Sequence, residues 1–97
     1  MSFDIIIERR ALSDIQRAID YYDNQQAGLG EKFLSSIEKY LHSISTNPFF
    51  QIRYSNVRCL PVKSFPFMIH FMLDEKNKIA YIISVLHTSM SPDKWVL

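Results

Sequence analysis

Eight residues near the C-terminal end, Ile79 to Leu86, are almost all apolar, with Ile79, Tyr81, Ile83 and Val85 alternating against Ala80, Ile82 and Leu86. Read as a strand, this segment is apolar on both faces, which predicts a central place in a sheet. Upstream, Phe67, Ile69, Phe71 and Leu73 alternate with Met68, His70 and Met72, and Asp74-Glu75-Lys76-Asn77 supplies the turn joining the two strands. Val57 to Val62 reads as a further strand. Pro61 has no amide donor, which suits an edge or the end of that strand.

The N-terminal half has a different period. Phe3 to Glu8 holds Ile5, Ile6 and Ile7, a short β-branched run that predicts a strand partly buried on both faces. Leu12, Ile15, Ile19 and Tyr22 then fall at helical spacing, with Asp14, Arg17 and Asp20 available for the opposite face. Gly28 and Gly30 favour a turn, so this helix should end near Gln25 or Gln26. A second helix is expected from Leu29 or Glu31 to Ser45, with Leu34, Ile37, Leu41 and Ile44 as its stripe, stopped by Asn47-Pro48. The short connection makes the pair an antiparallel hairpin that can cover one face of the sheet, with the first strand beside the last.

Ninety-seven residues suit one domain, spanning 1–97, and a hydrophobic content of 47% is that of an ordinary globular chain. The N-terminus has no apolar region of the secretory kind and no stretch is long enough to span a bilayer, which implies no membrane association and a cytoplasmic location. The single Cys59 cannot form an intramolecular disulfide and reads as a small buried apolar residue. Net charge is only +1, too small for whole-molecule electrostatics to argue for nucleic acid. Its distribution is uneven: residues 1–50 carry five Lys/Arg against seven Asp/Glu, residues 51–97 six against three. No acid occurs from Gln51 to Leu73, where Arg53, Arg58 and Lys63 supply positive charge suited to an anion or an acidic partner.

The order of strand, helical hairpin, three-stranded antiparallel sheet and short tail, an α+β arrangement, resembles the RelE/ParE superfamily of bacterial toxins. The wording supports it: Ala11-Leu12-Ser13-Asp14-Ile15, Ile19-Asp20-Tyr21-Tyr22, Phe33-Leu34 and Asn47-Pro48 look like the ParE-type hairpin. Val57-Arg58, Lys63-Ser64-Phe65-Pro66-Phe67 and Ile69-His70-Phe71 look like its central strands. Val85-Leu86-His87-Thr88 with Pro92-Asp93-Lys94-Trp95 looks like its closing motif. The resemblance implies the toxin of a type II toxin-antitoxin pair, held in a hetero-oligomer by a cognate protein antitoxin. ParE-like members poison DNA gyrase, whereas RelE-like members cut mRNA in the ribosome; a third possibility is a toxin-derived binding protein that has lost toxicity.

These tasks need different groups. RNA cleavage calls for several Lys/Arg and a general acid or base, whereas a gyrase inhibitor needs only a complementary surface. By the resemblance, Arg58 matches a basic position on the second strand and Lys63 precedes the aromatic break; both could contact phosphate, antitoxin or target, or be solvated edge charges. Arg53 has the same two readings. His87 approximates a catalytic position of RNA-cleaving members and could be an acid or base, although a strand-end histidine is more often structural. Thus His87 and Arg58 are the catalytic candidates of the nuclease alternative, and Arg53, Arg58, Lys63 and His87 the binding candidates. His70 reads as a hydrogen-bonded sheet residue and His42 as a helix-surface one. ParE-like tails commonly carry an arginine where this chain has Met90 before Ser91-Pro92. Trp95 is expected to pin the tail against the sheet. Phe49 and Phe50 divide between core cover and an apolar groove, at least one of them being core. No pair of histidines has metal-like spacing, the glycines form no phosphate loop, and no cofactor is expected.

Overall fold

A computed structural model describes residues 2–90 and consists of β1 (Asp4–Ile7), α1 (Arg9–Gln25), α2 (Leu29–Thr46), β2 (Ile52–Tyr54), β3 (Val57–Val62), β4 (Phe67–Asp74) and β5 (Ile79–His87). One five-stranded sheet has the order β1-β5-β4-β3-β2. β1 runs parallel to β5, with Ile5 opposite Ala80 and Ile7 opposite Ile82, and the other pairings are antiparallel. The expected neighbourhood of first and last strands, the hairpin and the interior position of the Ile79 segment are therefore all present. Neither helix is long and apolar enough to cross a membrane. The expectations for Pro92, Asp93, Lys94 and Trp95 lie outside the described residues.

The core fills the space between the hairpin and one sheet face. Ala11, Ile15 and Ala18 of α1 and Phe33, Ile37 and Ile44 of α2 meet Leu60, Val62, Ile69, Phe71, Ala80, Ile82 and Val85 from the strands. Phe33 is fully buried, its ring 5.4 Å from Tyr22 and 5.2 Å from both Phe65 and Phe67, a cluster of mostly edge-to-face pairs that join α1, α2 and the β3–β4 turn. Such pairs add about 0.5–1.5 kcal/mol each beyond the area they bury. Where the helices meet, Gly30 lies so close to α1 that a Cβ there would fall 2.5 Å from the Ile19 carbonyl oxygen. The opposite sheet face carries a second apolar group of Val57, Cys59, Met68 and Ile83.

Five details differ from the sequence-based expectations. First, one leucine of each expected stripe faces outward, although Ile15, Ile19, Tyr22, Ile37, Leu41 and Ile44 pack in the core as expected. On α1, Ala11 and Ala18 are buried while Leu12 is 53% exposed; on α2, Phe33 is buried while Leu34 is 37% exposed. Second, Asp14, assigned to the outer face of α1, is buried at 6% exposure. Third, β1 is an edge strand with Ile5 and Ile7 packed on the core and Ile6 exposed, so only one of its faces is covered. Fourth, a bulge interrupts β5: His70 pairs with Ser84 but Phe71 with Ile82, so the register passes over Ile83. An extra residue reverses the alternation beyond it, which sends Val85 to the helix face with Ala80 and Ile82.

The fifth is β2, a strand not foreseen. It forms a two-residue hairpin with β3 through Ser55 and Asn56, whose φ values of 40° and 65° are both positive, as a type I′ turn requires. β2 reaches only Val57 and Arg58, so Pro61 lies on a part of β3 that has no neighbour on that side. Phe50 packs on the core with its ring 6.3 Å from Phe71, whereas Phe49 is 55% exposed.

Candidate functional site

The alternation of β3 and β4 decides where the expected cationic residues go. Val57 and Cys59 face away from the helices, so Arg58 between them points to the helix side. There its guanidinium donates a 2.7 Å hydrogen bond to the Phe50 carbonyl and lies 5.6 Å from the centre of the Phe49 ring. Arg58 thus ties the segment after α2 to the sheet. Arg53 occupies the irregular step of β2, is exposed, and sends its positive field onto Cys59 and His70 of the opposite face.

Lys63 and His87 stand at the other end of the strands. Val62 pairs with Phe67 and Phe67 with His87, whereas Arg58 pairs with Phe71, four residues or about 13 Å further along β4. The Lys63 amide donates to the Tyr40 hydroxyl of α2 at 3.2 Å, and its side chain is exposed. The His87 ring packs edge-on to Phe67 at 5.2 Å; its Nδ1 accepts from the Ser89 amide at 3.0 Å and lies 2.7 Å from Ser89 Oγ. The fold therefore does not gather Arg53, Arg58, Lys63 and His87 into one constellation.

Two other groupings are present. An open cleft of about 540 Å³ lies between α1 and the ends of β4 and β5, lined by Tyr21, Tyr22, Phe67, His87 and Met90, with Asp14 and Arg17 at its polar side. Tyr21 is 58% exposed and Met90 38%, so the walls offer apolar surface to solvent. Asp14 explains how α1 is held there. β1 pairs with β5 only as far as Ile82, and the Val85 amide, beyond that limit, donates to Asp14 Oδ2 at 3.0 Å. The other carboxylate oxygen accepts from Arg17 at 2.7 Å. A carboxylate buried in a helix and aimed at a strand amide was missed because Ser13-Asp14 reads as polar surface; the flanking Ala11, Ile15 and Ala18 were the available signal.

The second grouping lies on the opposite sheet face. His70 is fully buried, and its Nδ1 is 3.1 Å from the Tyr54 hydroxyl and 3.3 Å from Cys59 Sγ. A neutral imidazole accepting at Nδ1 can take one of these donors at a time and carries its proton on Nε2. Burial, reinforced by the charges of Arg10 and Arg53, lowers the His70 pKa to about 4, so the ring is neutral at pH 7. Burial also pushes the Cys59 thiol up to about 11, against the opposing pull of Arg53. That thiol is a small buried group, as expected of Cys59. His42 lies exposed on α2. Among the described residues no group of three or more His, Cys, Asp or Glu is placed to hold a metal ion.

Residues 5–92 match the family model for the ParE toxin of the type II toxin-antitoxin system parDE. The chain belongs to the ParE toxin family. Its ParE-type fold is similar to a chromosomal ParDE system from P. aeruginosa, at a TM-score of 0.66 and 18% identity over 89% of this chain and 96% of that one. It is equally similar to the isolated E. coli RelE toxin, at a TM-score of 0.68 and 13% identity over 97% and 93%. A chain of the intact E. coli RelBE toxin-antitoxin complex gives a TM-score of 0.68 and 15% identity over 87% of this chain and 94% of that one. A search of curated proteins returned no match. ParE membership makes this chain a type II toxin-antitoxin toxin of the RelE/ParE superfamily, as the hairpin and closing motifs implied.

Proposed function

We propose that this chain is a ParE-like toxin that arrests growth in the cytoplasm by protein–protein contact, with DNA gyrase as the family-implied target, and that a cognate antitoxin neutralises it. The observation that carries the reading is the dispersal of the cationic set: the Arg58 guanidinium is held by the Phe50 carbonyl, His87 on β5 pairs with a β4 residue about 13 Å from the one that pairs with Arg58, and Arg53 projects its charge onto the other sheet face. Phosphoryl chemistry needs such groups to converge on one phosphate; inhibition by contact needs an exposed surface with an apolar centre. The cleft beside His87 supplies one, and an amphipathic antitoxin segment that orders on binding would seat an apolar side chain between Tyr21, Phe67 and Met90. Co-purification with the product of the adjacent gene tests the partnership. Retention of the complex by the native pair and its loss in Tyr21→Glu, with Arg53→Gln unaffected, is the expected result; failure of the native pair to associate would overturn it.

A second reading, a RelE-like ribosome-dependent endoribonuclease, is favoured by one observation: Tyr54 and His70 stand together within the field of Arg10, and His70 within that of Arg53 as well. It predicts mRNA cleavage on ribosomes that is lost in His87→Ala or Arg58→Ala while the fold survives. A non-toxic binding protein would instead leave growth normal on induction without antitoxin.

A further inference from the structure

One side of α2 carries chemistry that neither the cleft nor the buried histidine uses. Lys32, Ser36, Lys39 and Ser43 recur at intervals of four, three and four residues and so form one stripe along the helix, about 16 Å long. Lys32 and Lys39 are exposed, and the helix's two acids, Glu31 and Glu38, project about 100° or more around the axis from Lys32. The stripe continues onto the β3–β4 turn. Tyr40 lies beneath Lys39, with the ammonium 5.8 Å from its ring centre, and its hydroxyl accepts the Lys63 amide, which brings a third exposed lysine alongside. Between helix and turn runs an open groove of about 570 Å³ bordered by Lys32, Ser36, Ser64 and Phe65. Among the described residues, Lys32 is the only charged one that lines it.

From this placement we propose that the Lys32–Lys39–Lys63 face binds the phosphate backbone of a nucleic acid without regard to sequence. Three features fit that partner. None of the three lysines is paired: among the described residues the one ion pair is Arg17–Asp14. Lys32 and Lys39 are about 10 Å apart along the helix axis, comparable with the rise over three phosphates of one strand. The Ser36 and Tyr40 hydroxyls lie among the ammonium groups, the mixture that contacts phosphate and sugar oxygens while reading no base, whereas the Ser43 hydroxyl donates to the Lys39 carbonyl. The absence of carboxylates from 51 to 73 keeps the turn side of the face free of repulsion.

Fluorescence anisotropy of the full-length chain with a short labelled DNA duplex, and with an RNA hairpin, tests it across a salt series. Three phosphate contacts predict a slope of log K against log salt of about −2.7 on duplex DNA, hence about 40-fold weaker binding at about 200 mM than at about 50 mM salt. Lys32→Gln/Lys39→Gln/Lys63→Gln is expected to flatten that slope towards zero and to lose at least about tenfold in affinity at low salt. A control of equal charge, Arg9→Gln/Lys76→Gln/Lys78→Gln, should retain both, with circular dichroism melts showing that each variant folds. No binding by the native chain at low salt, an equal loss in the control, or capture of polyglutamate with no binding of either nucleic acid would each overturn the proposal.

Discussion

At the scale of single residues, buried polar groups do more to define this molecule than its exposed charges. His70 is neutral in the fold with a pKa near 4, whereas in an unfolded chain it titrates near the ordinary 6.5. Between those values the unfolded state binds more protons, so stability present above about pH 6.5 is lost progressively down to about pH 4, by on the order of 3 kcal/mol. Thermal unfolding across that window should show a steep fall in melting temperature for the native chain and a shallower one for His70→Gln; parallel curves would contradict the assignment. Asp14 gives a comparison of a different kind. Asp14→Ala orphans the Val85 amide and is expected to cost about 1–3 kcal/mol, whereas Arg17→Ala removes only the side of the pair that is 72% exposed and should cost less than about 1 kcal/mol. Denaturant melts of the two variants check the order, and equal losses would show that the ion pair, not the strand amide, is what Asp14 serves.

At the scale of elements, the hairpin depends on two glycines for different reasons. Gly28 adopts φ +87° before α2 with open space around it, so Gly28→Ala should cost about 1 kcal/mol through backbone strain alone. Gly30 abuts the Ile19 carbonyl and the Asp23 carboxylate, so Gly30→Ala must push the helices apart and should lower the melting temperature more than Gly28→Ala does; the reverse order would contradict the packing. Element type and order were legible because period 2 and period 3.6 are so distinct between the strands and helices. Phase was harder. Leu12 and Leu34 outrank Ala11 and Gly30 in hydrophobicity, yet close approach of the helices to each other and to the sheet selects the small residues and leaves both leucines at the outer side. β2 is only three residues long and its turn lacks glycine, so Asn56 was the sole hairpin signal. The bulge at Ile83 has no signature in a run that is apolar on both sides of Ser84, and for that reason strict alternation assigns Val85 to the wrong face.

At the scale of the whole molecule, the sheet sorts the cationic residues by parity and by strand end. Sequence proximity within 53–63 suggested one basic site, but alternate residues of a strand point to opposite faces and the two ends of β4 are about 20 Å apart or more, so the set is divided. What survives is a toxin-family scaffold with an apolar cleft at one strand end and a stripe of exposed lysines along one side of α2. The scaffold is proposed to act by contact with a protein target and not by cutting RNA. Regulated expression without the antitoxin, followed by plasmid supercoiling and transcript integrity in the same cells, tests this: growth arrest with altered supercoiling and intact mRNA is expected, whereas unaltered supercoiling with cleaved transcripts, or undisturbed growth, would rule out a contact mechanism.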